Sequence, residues 1–162
     1  MIAESNCRVV VTGLGLVSPL GQTADELLAA LLAGRSGVVS LTEIPAEVFP
    51  SQVEAVASGF TGDISEFGTL DKEQKKSIRK GLKLMCREIQ MGVAAAQRAL
   101  NDAGLTRDDY QVDRRGVVFG ADYMISNPQE LSEAFDACRT EEGTFDYGQW
   151  GQLGLSKVAP LW

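Results

Sequence analysis

The sequence Arg-Val-Val-Val-Thr-Gly-Leu-Gly-Leu-Val-Ser-Pro-Leu-Gly, residues 8–21, decides the fold that we expect for this chain. Its β-branched run enters a turn with glycines at positions 13 and 15, which predicts a strand that is buried on both faces and ends in a tight bend. Thr23 can cap a following helix, with Glu26 three residues later as its capping-box partner. This helix should stop at Gly34. Its apolar face would comprise Leu27, Leu28, Leu31 and Leu32.

Glycines after a first strand can let backbone amides approach a pyrophosphate, so Gly13 and Gly15 also invite a nucleotide-binding interpretation. That fingerprint requires a third glycine where this chain has Ser18, and the following Pro19 lacks an amide donor. The helix then begins too late to receive a phosphate at its N-terminus. A glycine turn that redirects the chain is the favoured interpretation.

A strong helical period follows in residues 71–104. Asp71 is a candidate cap and Gly104 a candidate left-handed terminator, so the pattern predicts one long helix with a single apolar stripe in the core. Residues 117–119, Val-Val-Phe, predict a second buried strand, and this order of elements is typical of an open, mainly parallel sheet with helical layers. The stripe consists of Ile78, Leu82, Met85, Ile89, Val93, Ala96 and Leu100.

The remaining segments give weaker signals. Residues 38–44 indicate a short strand, residues 53–60 either a short edge strand or an irregular crossing, and a helix is expected from Pro128 to Cys138. Residues 140–154 are acidic, aromatic and punctuated by glycine, which favours a variable surface loop over a binding site.

Composition limits the class of protein. The chain has 162 residues, 44% of them hydrophobic and 23% charged, with a net charge of −7, which is ordinary for one globular domain. Neither a membrane-spanning run nor a signal peptide is evident, so we expect a cytoplasmic protein. The chain has no histidine, and Cys7, Cys86 and Cys138 are widely spaced. We therefore expect reduced, apolar cysteines, no metal and no cofactor.

Two motifs together resemble the start of a β-ketoacyl-acyl carrier protein synthase of the type II kind: residues 10–21, Val-Val-Thr-Gly-Leu-Gly-Leu-Val-Ser-Pro-Leu-Gly, and residues 31–38, Leu-Leu-Ala-Gly-Arg-Ser-Gly-Val. Weaker matches continue to residues 157–160. Because such synthases are much longer, the chain resembles their amino-terminal part. The implied fold is α/β, the incomplete amino-terminal half of a thiolase-like fold with a mainly parallel sheet. Residues 1–122 would form the core of this 1–162 fragment, and residues 123–162 a variable excursion with the dimer and pocket segment.

The resemblance implies an acyltransferase of fatty acid or polyketide biosynthesis that condenses an acyl group with malonyl-acyl carrier protein and loses carbon dioxide. The family's cysteine nucleophile and two histidines lie beyond this region, so we expect no catalytic residue here and no activity from the fragment alone. The alternative is a non-catalytic, synthase-like partner subunit resembling a chain length factor. It stays open because Gly120 is followed by Ala121-Asp122-Tyr123, where the family usually has a turn rich in glycine and serine.

Seven of the 15 Lys and Arg residues lie within residues 72–87. Cations in the first turns of a helix oppose its dipole, so they form either a solvated face or a surface for an acidic partner. The acidic remainder of the chain argues against nucleic acid. The resemblance implies acyl carrier protein, docking at Lys80, Lys83 and Lys157. One departure is that this chain has Leu84-Met85-Cys86 where the family usually has a basic residue followed by Met and Asp.

The resemblance also implies an acyl pocket. Phe119 falls on a position that lines the acyl tunnel, and Trp162 on an aromatic position contributed by the other subunit of a homodimer. Two large rings would restrict the tunnel to short acyl groups or none. Core packing for Phe119 and interface packing for Trp162 remain alternatives.

Overall fold

The computed structural model describes residues 8–42, 50–106, 108–121 and 128–158. The chain divides into two compact units, the first formed by Met1–Asp71 with Met91–Val118 and the second by Lys72–Gln90 with Phe119–Trp162. The elements in chain order are α1 (Ala24–Leu32), β1 (Val39–Ser40), β2 (Val53–Glu54), a 3-10 helix (Ile64–Phe67), α2 (Lys72–Gly81), α3 (Arg87–Asp102), a 3-10 helix (Val112–Arg114), α4 (Pro128–Ala137), α5 (Tyr147–Gln149) and a π-helix (Trp150–Gly154). Among these described helices, none is long and apolar enough to cross a bilayer.

Helix α1 has both of the ends predicted for it. Thr23 Oγ1 accepts a hydrogen bond from the Glu26 amide at 3.2 Å, and the Glu26 carboxylate accepts one from the Thr23 amide at 3.2 Å, which completes the capping box. The same carboxylate also accepts from the Gln22 amide at 2.7 Å. Gly34 adopts a φ of +65°, and the Arg35 amide closes the last turn on the carbonyl of Ala30 at 3.0 Å. The predicted apolar face is wrong, however. Ala30 is the buried residue, whereas three leucines are exposed, namely Leu28, Leu31 and Leu32.

The only β-ladder within the described residues is an antiparallel pair, with Val39 opposite Glu54 and Ser40 opposite Val53. The short strand expected in residues 38–44 and the edge-strand alternative for residues 53–60 are thus confirmed over two residues each. The buried strands predicted at residues 9–12 and 117–119 are wrong, since Val9 and Val117 are each 89% exposed. A buried strand needs ladder partners for its N–H and C=O groups, and no described residue pairs with either segment.

The predicted long helix is two helices, α2 and α3, joined by a turn over residues 82–86. The amides of Leu84 and Met85 both bond to the Gly81 carbonyl, at 2.8 and 3.0 Å. The Gln90 side chain then bonds to the Met85 carbonyl at 2.8 Å. Glycine disfavours continuation by about 1 kcal/mol, and like charges four residues apart on α2 add repulsion. The break therefore follows from local chemistry that the apolar period conceals.

The core of the first unit lies between the glycine turn, the 3-10 helix at residues 64–67 and α3. Phe60 and Phe67 are fully buried, with ring centroids 5.9 Å apart. On α3 the buried residue is Ala94, whereas Leu100 and Ala96 of the predicted stripe are exposed, so the stripe is wrong over its second half. Gly104 ends the helical segment with a φ of +66°, as predicted.

In the second unit, α4 packs against the π-helix. Ala134 and Cys138 are fully buried, and a side chain added at Gly154 would meet the Cys138 sulfur at 3.0 Å. The helix expected from Pro128 is confirmed to Ala137. Residues 140–154 are more regular than the predicted loop. The Thr140 amide bonds to the Thr144 carbonyl at 2.8 Å, and the chain then enters α5 and the π-helix.

Candidate functional site

A row of cations on α2 and the turn after it forms the most highly charged surface of the second unit. All of these side chains are exposed, and no residue of α2 is buried. Along α2, which rises about 1.5 Å per residue, the cations from Lys72 to Lys80 span about 12 Å, and Lys83 follows in the turn. We call them the α2 basic surface: Lys72, Lys75, Lys76, Arg79, Lys80 and Lys83.

The α2 basic surface is not neutralised by ion pairs within the parts of the chain that the structure describes. The ion pairs of Arg139 with Asp136 and of Lys157 with Glu133 lie elsewhere in this unit, and neither involves α2. Cations at four-residue spacing, such as Lys76 and Lys80, repel one another. An anionic surface laid across α2 would relieve this repulsion, so the arrangement favours an acidic macromolecular partner.

Lys157, the third lysine expected at this surface, is in a different electrostatic environment. Its Nζ donates a hydrogen bond to Oε1 of Glu133 on α4 at 2.6 Å. The hydrogen bond and charge of Lys157 hold the pKa of Glu133 below its ordinary value. Lys80 at the end of α2 and Lys83 in the turn after it thus have no ion-pair partner among the described residues, whereas Lys157 is in an ion pair with Glu133 of α4.

The turn between α2 and α3 contains Leu84-Met85-Cys86, which departs from the basic-Met-Asp sequence that the resemblance implies. Cys86 is buried, with 7% exposure, so this position faces the interior and cannot contact a partner. Leu84 is exposed, so it places an apolar side chain where the resemblance implies a cation. The expectation of reduced, apolar cysteines is confirmed for Cys86 and Cys138, which are free and buried, and Cys7 lies outside the described residues.

The two expected acyl-pocket residues are not brought together by anything that the structure describes. Phe119 is 57% exposed and follows two exposed valines. Trp162 lies outside the described residues. The pocket therefore stays a prediction for both positions.

Arg98, on the inner side of α3, is a residue that the sequence reasoning missed. Its Nε donates to the Glu66 carbonyl at 2.8 Å, its Nη1 to the carbonyls of Leu16 and Gln22 at 2.9 and 3.1 Å, and its Nη2 to the Gln22 side chain at 2.6 Å. One guanidinium thus joins the glycine turn, the start of α1 and the 3-10 helix. Arg98 lies four residues after the buried Ala94 and therefore on the same face of the helix, and this spacing was the signal in the sequence that could have identified it.

The glycine turn itself packs against α3. A side chain at Gly13 or Gly15 would collide with the backbone at Ala99 or Ala95. The Leu14 amide, which a phosphate would need, already donates to Oδ2 of Asp102 at 2.8 Å. The structure therefore agrees with the favoured interpretation, in which these glycines serve a turn that packs closely against small residues of α3.

The aromatic residues of the second unit surround an open cleft of about 560 Å³. Phe145 is central, with its ring centroid 5.2 Å from Phe135 and 5.8 Å from Trp150. Arg139 also lines the cleft. No group of His, Cys, Asp or Glu side chains suited to a metal ion occurs in residues 8–42, 50–106, 108–121 or 128–158.

Comparison with known proteins identifies the family. Residues 6–149 match the family described as "Beta-ketoacyl synthase, N-terminal domain". The chain belongs to the β-ketoacyl synthase family. Membership of this family implies a thiolase-like α/β fold.

Several curated β-ketoacyl synthases are similar to this chain. The chain is 37% identical to the 3-oxoacyl-[acyl-carrier-protein] synthase 2 of Coxiella burnetii over 133 residues, which cover 82% of this chain and 29% of that protein. It is also 37% identical to synthase 2 of Vibrio harveyi over 117 residues, covering 72% and 26%. Synthase 1 of Haemophilus influenzae is 32% identical over 144 residues, covering 88% and 32%. The chain thus spans less than a third of each relative.

Proposed function

We propose that the complete protein is a 3-oxoacyl-acyl carrier protein synthase, an acyltransferase that joins an acyl group to malonyl-acyl carrier protein with loss of carbon dioxide. The observation that carries this proposal is the identity of 37% to proteins of that name over most of the chain. Residues 1–162 would supply the scaffold and the docking surface, with an incomplete, mainly parallel sheet. The nucleophilic cysteine and the two histidines would come from outside this region.

The reaction can be tested directly on the full-length protein. Acyl-acyl carrier protein and malonyl-acyl carrier protein should yield 3-oxoacyl-acyl carrier protein, one free carrier-protein thiol from the acyl donor and one carbon dioxide per turnover. Labelling with iodoacetamide should block the activity, because covalent catalysis requires a thiolate nucleophile. A full-length protein that binds the carrier but neither accepts acyl groups nor reacts with iodoacetamide would be the synthase-like partner subunit instead, and the departure at Ala121 and the two residues after it keeps this second candidate open.

We propose that the α2 basic surface docks acyl carrier protein, with Lys80 and Lys83 at its C-terminal end as the main contacts and Lys157 as a separate cation of the same unit. The support is the exposure of these lysines and the lack of ion-pair partners for α2 among the described residues. Complementary charge chiefly raises the association rate and makes binding depend on salt.

Charge reversal tests this docking surface. The double variant Lys80→Glu and Lys83→Glu of the full-length protein should weaken carrier binding by about tenfold or more at low salt, and by much less at high salt. Arg35→Glu, at the end of α1 in the first unit, is the matched control and should have little effect. Binding that is indifferent to both reversals and to ionic strength would mean that the surface is only solvated.

We also propose that the complete protein is a cytoplasmic homodimer. Phe119 and the partner subunit's Trp162 would together narrow the acyl pocket. The partial exposure of Phe119 is compatible with a position at the wall of a cavity that other parts of the protein complete.

A further inference from the structure

The ion pair between Lys157 and Glu133 carries an inference that deepens, and rests on, the proposed carrier docking. The two residues lie 24 positions apart in the sequence, yet Nζ and Oε1 are 2.6 Å apart. Lys157 is 37% exposed and Glu133 is 75% exposed, so the pair is open to an approaching protein.

Both ends of this ion pair are held by the fold. Glu133 precedes the fully buried Ala134 on α4, and the Lys157 amide bonds to the carbonyl of the buried Gly154 at 3.0 Å. Phe135 of α4 and Trp150 of the π-helix pack with their ring centroids 5.5 Å apart. Because packing fixes the two backbones, forming the pair costs little beyond ordering two side chains.

A partner carboxylate that approaches Lys157 must compete with a carboxylate that is already in place. An intramolecular group has a high effective concentration for its partner, whereas the docking carboxylate arrives from solution. To an acidic protein, the intact pair presents no net charge. No ion pair in the described ranges involves Lys80 or Lys83, so no carboxylate of the chain competes there with the partner.

We propose that Glu133 masks Lys157, so that carrier docking rests on the α2 basic surface and Lys157 contributes only when Glu133 is removed or neutralised. Glu133 is thus a residue that sets the affinity for the carrier through its partner lysine. The expected change is modest, about two- to fivefold in affinity at low salt, because exposed ion pairs are weak and screened.

The test measures the affinity of the full-length protein for fluorescently labelled acyl carrier protein at low and high salt. Glu133→Gln should tighten binding about two- to fivefold at low salt and little at high salt. Lys157→Gln should weaken carrier binding, since this substitution leaves the Glu133 carboxylate without its partner. The double variant Glu133→Gln with Lys157→Gln should bind like the unmodified protein, because two uncharged side chains replace an ion pair that has no net charge. Glu142→Gln, which removes an exposed carboxylate elsewhere in the unit, is the matched control.

Each other outcome overturns the inference. A double variant that binds as weakly as Lys157→Gln would mean that Lys157 docks in spite of its partner. A Glu133→Gln variant without effect, or an equal gain from Glu142→Gln, would remove any specific role for Glu133. Loss of binding on reversal of Lys80 and Lys83 supports the docking proposal independently, so the two proposals fail separately.

Discussion

Arg98 shows how much a single side chain can organise. Its guanidinium donates to four acceptors from three segments of the first unit, so it replaces hydrogen bonds that water would otherwise supply to the carbonyls of Leu16, Gln22 and Glu66. A lysine carries one compact ammonium group and cannot reach acceptors on several sides.

We therefore expect Arg98→Lys to lower the free energy of unfolding by at least about 1.5 kcal/mol, since partly buried carbonyls lose charged donors. Denaturant titration of the full-length protein measures this change. Arg79→Lys on exposed α2 is the control and should cost less than about 0.5 kcal/mol. Equal effects of the two substitutions would contradict the role of Arg98.

Phe119 is the residue whose proposed role depends most on the rest of the protein. An aromatic ring in an acyl tunnel displaces several methylenes, each worth about 0.8 kcal/mol on burial. Phe119→Gly should therefore admit longer acyl groups, and Phe119→Leu should give an intermediate limit. Acyl transfer from a series of chain lengths is the measurement. Transfer of long chains to the unmodified protein, at rates that Phe119→Gly leaves unchanged, would contradict the pocket.

At the scale of elements, ends were easier to predict than faces. The capping box at Thr23 and the left-handed glycines at positions 34 and 104 are fixed by neighbouring residues, so the sequence predicts them correctly. The apolar period across residues 78–100 does not reveal the break after Gly81, because a turn can preserve the spacing of a stripe. The apolar period also does not reveal which face of α3 is buried, since that depends on the segments against which the helix packs.

The cap of α1 gives an element-scale dependence on pH. The Gln22 amide, with smaller contributions from Thr23 and Arg98, lowers the pKa of Glu26 below its ordinary value of 4.5, although desolvation opposes the shift. Because the folded protein has the lower pKa, this stabilisation is present above the ordinary pKa and is lost as the pH falls through the folded value. Glu26→Gln should therefore flatten the fall in unfolding free energy between about pH 6 and 3. Asp25→Asn, outside the capping box, should flatten it less, and the reverse order would contradict the assignment.

At the scale of the whole molecule, the family and the surface that we propose for docking were predictable, but the sheet was not. Residues 10–21 carry the family motif, and lysine spacing alone indicates a basic face. Residues 9–12 and 117–119 could form buried strands only beside other strands, and the described residues supply none. Arg98 was missed because its role depends on three carbonyls that only folding brings together.

A chain of 162 residues without histidine should not catalyse condensation by itself. Two of its three cysteines are buried, and thiolate chemistry needs exposure and an activating partner. We expect the purified chain to show no malonyl decarboxylation and no acyl transfer above the rate in buffer, with the full-length protein as the positive control. Turnover by the chain alone would contradict this expectation.

The exposed valines at residues 9–11 and 117–118 affect how the chain behaves in solution. Apolar segments outside any ladder of the described residues can serve as templates for pairing between molecules. The net charge of −7 opposes such association by mutual repulsion. That protection disappears near the isoelectric point of about 4.6 and weakens as salt screens the charge, so aggregation of the isolated chain is governed by acidity and ionic strength.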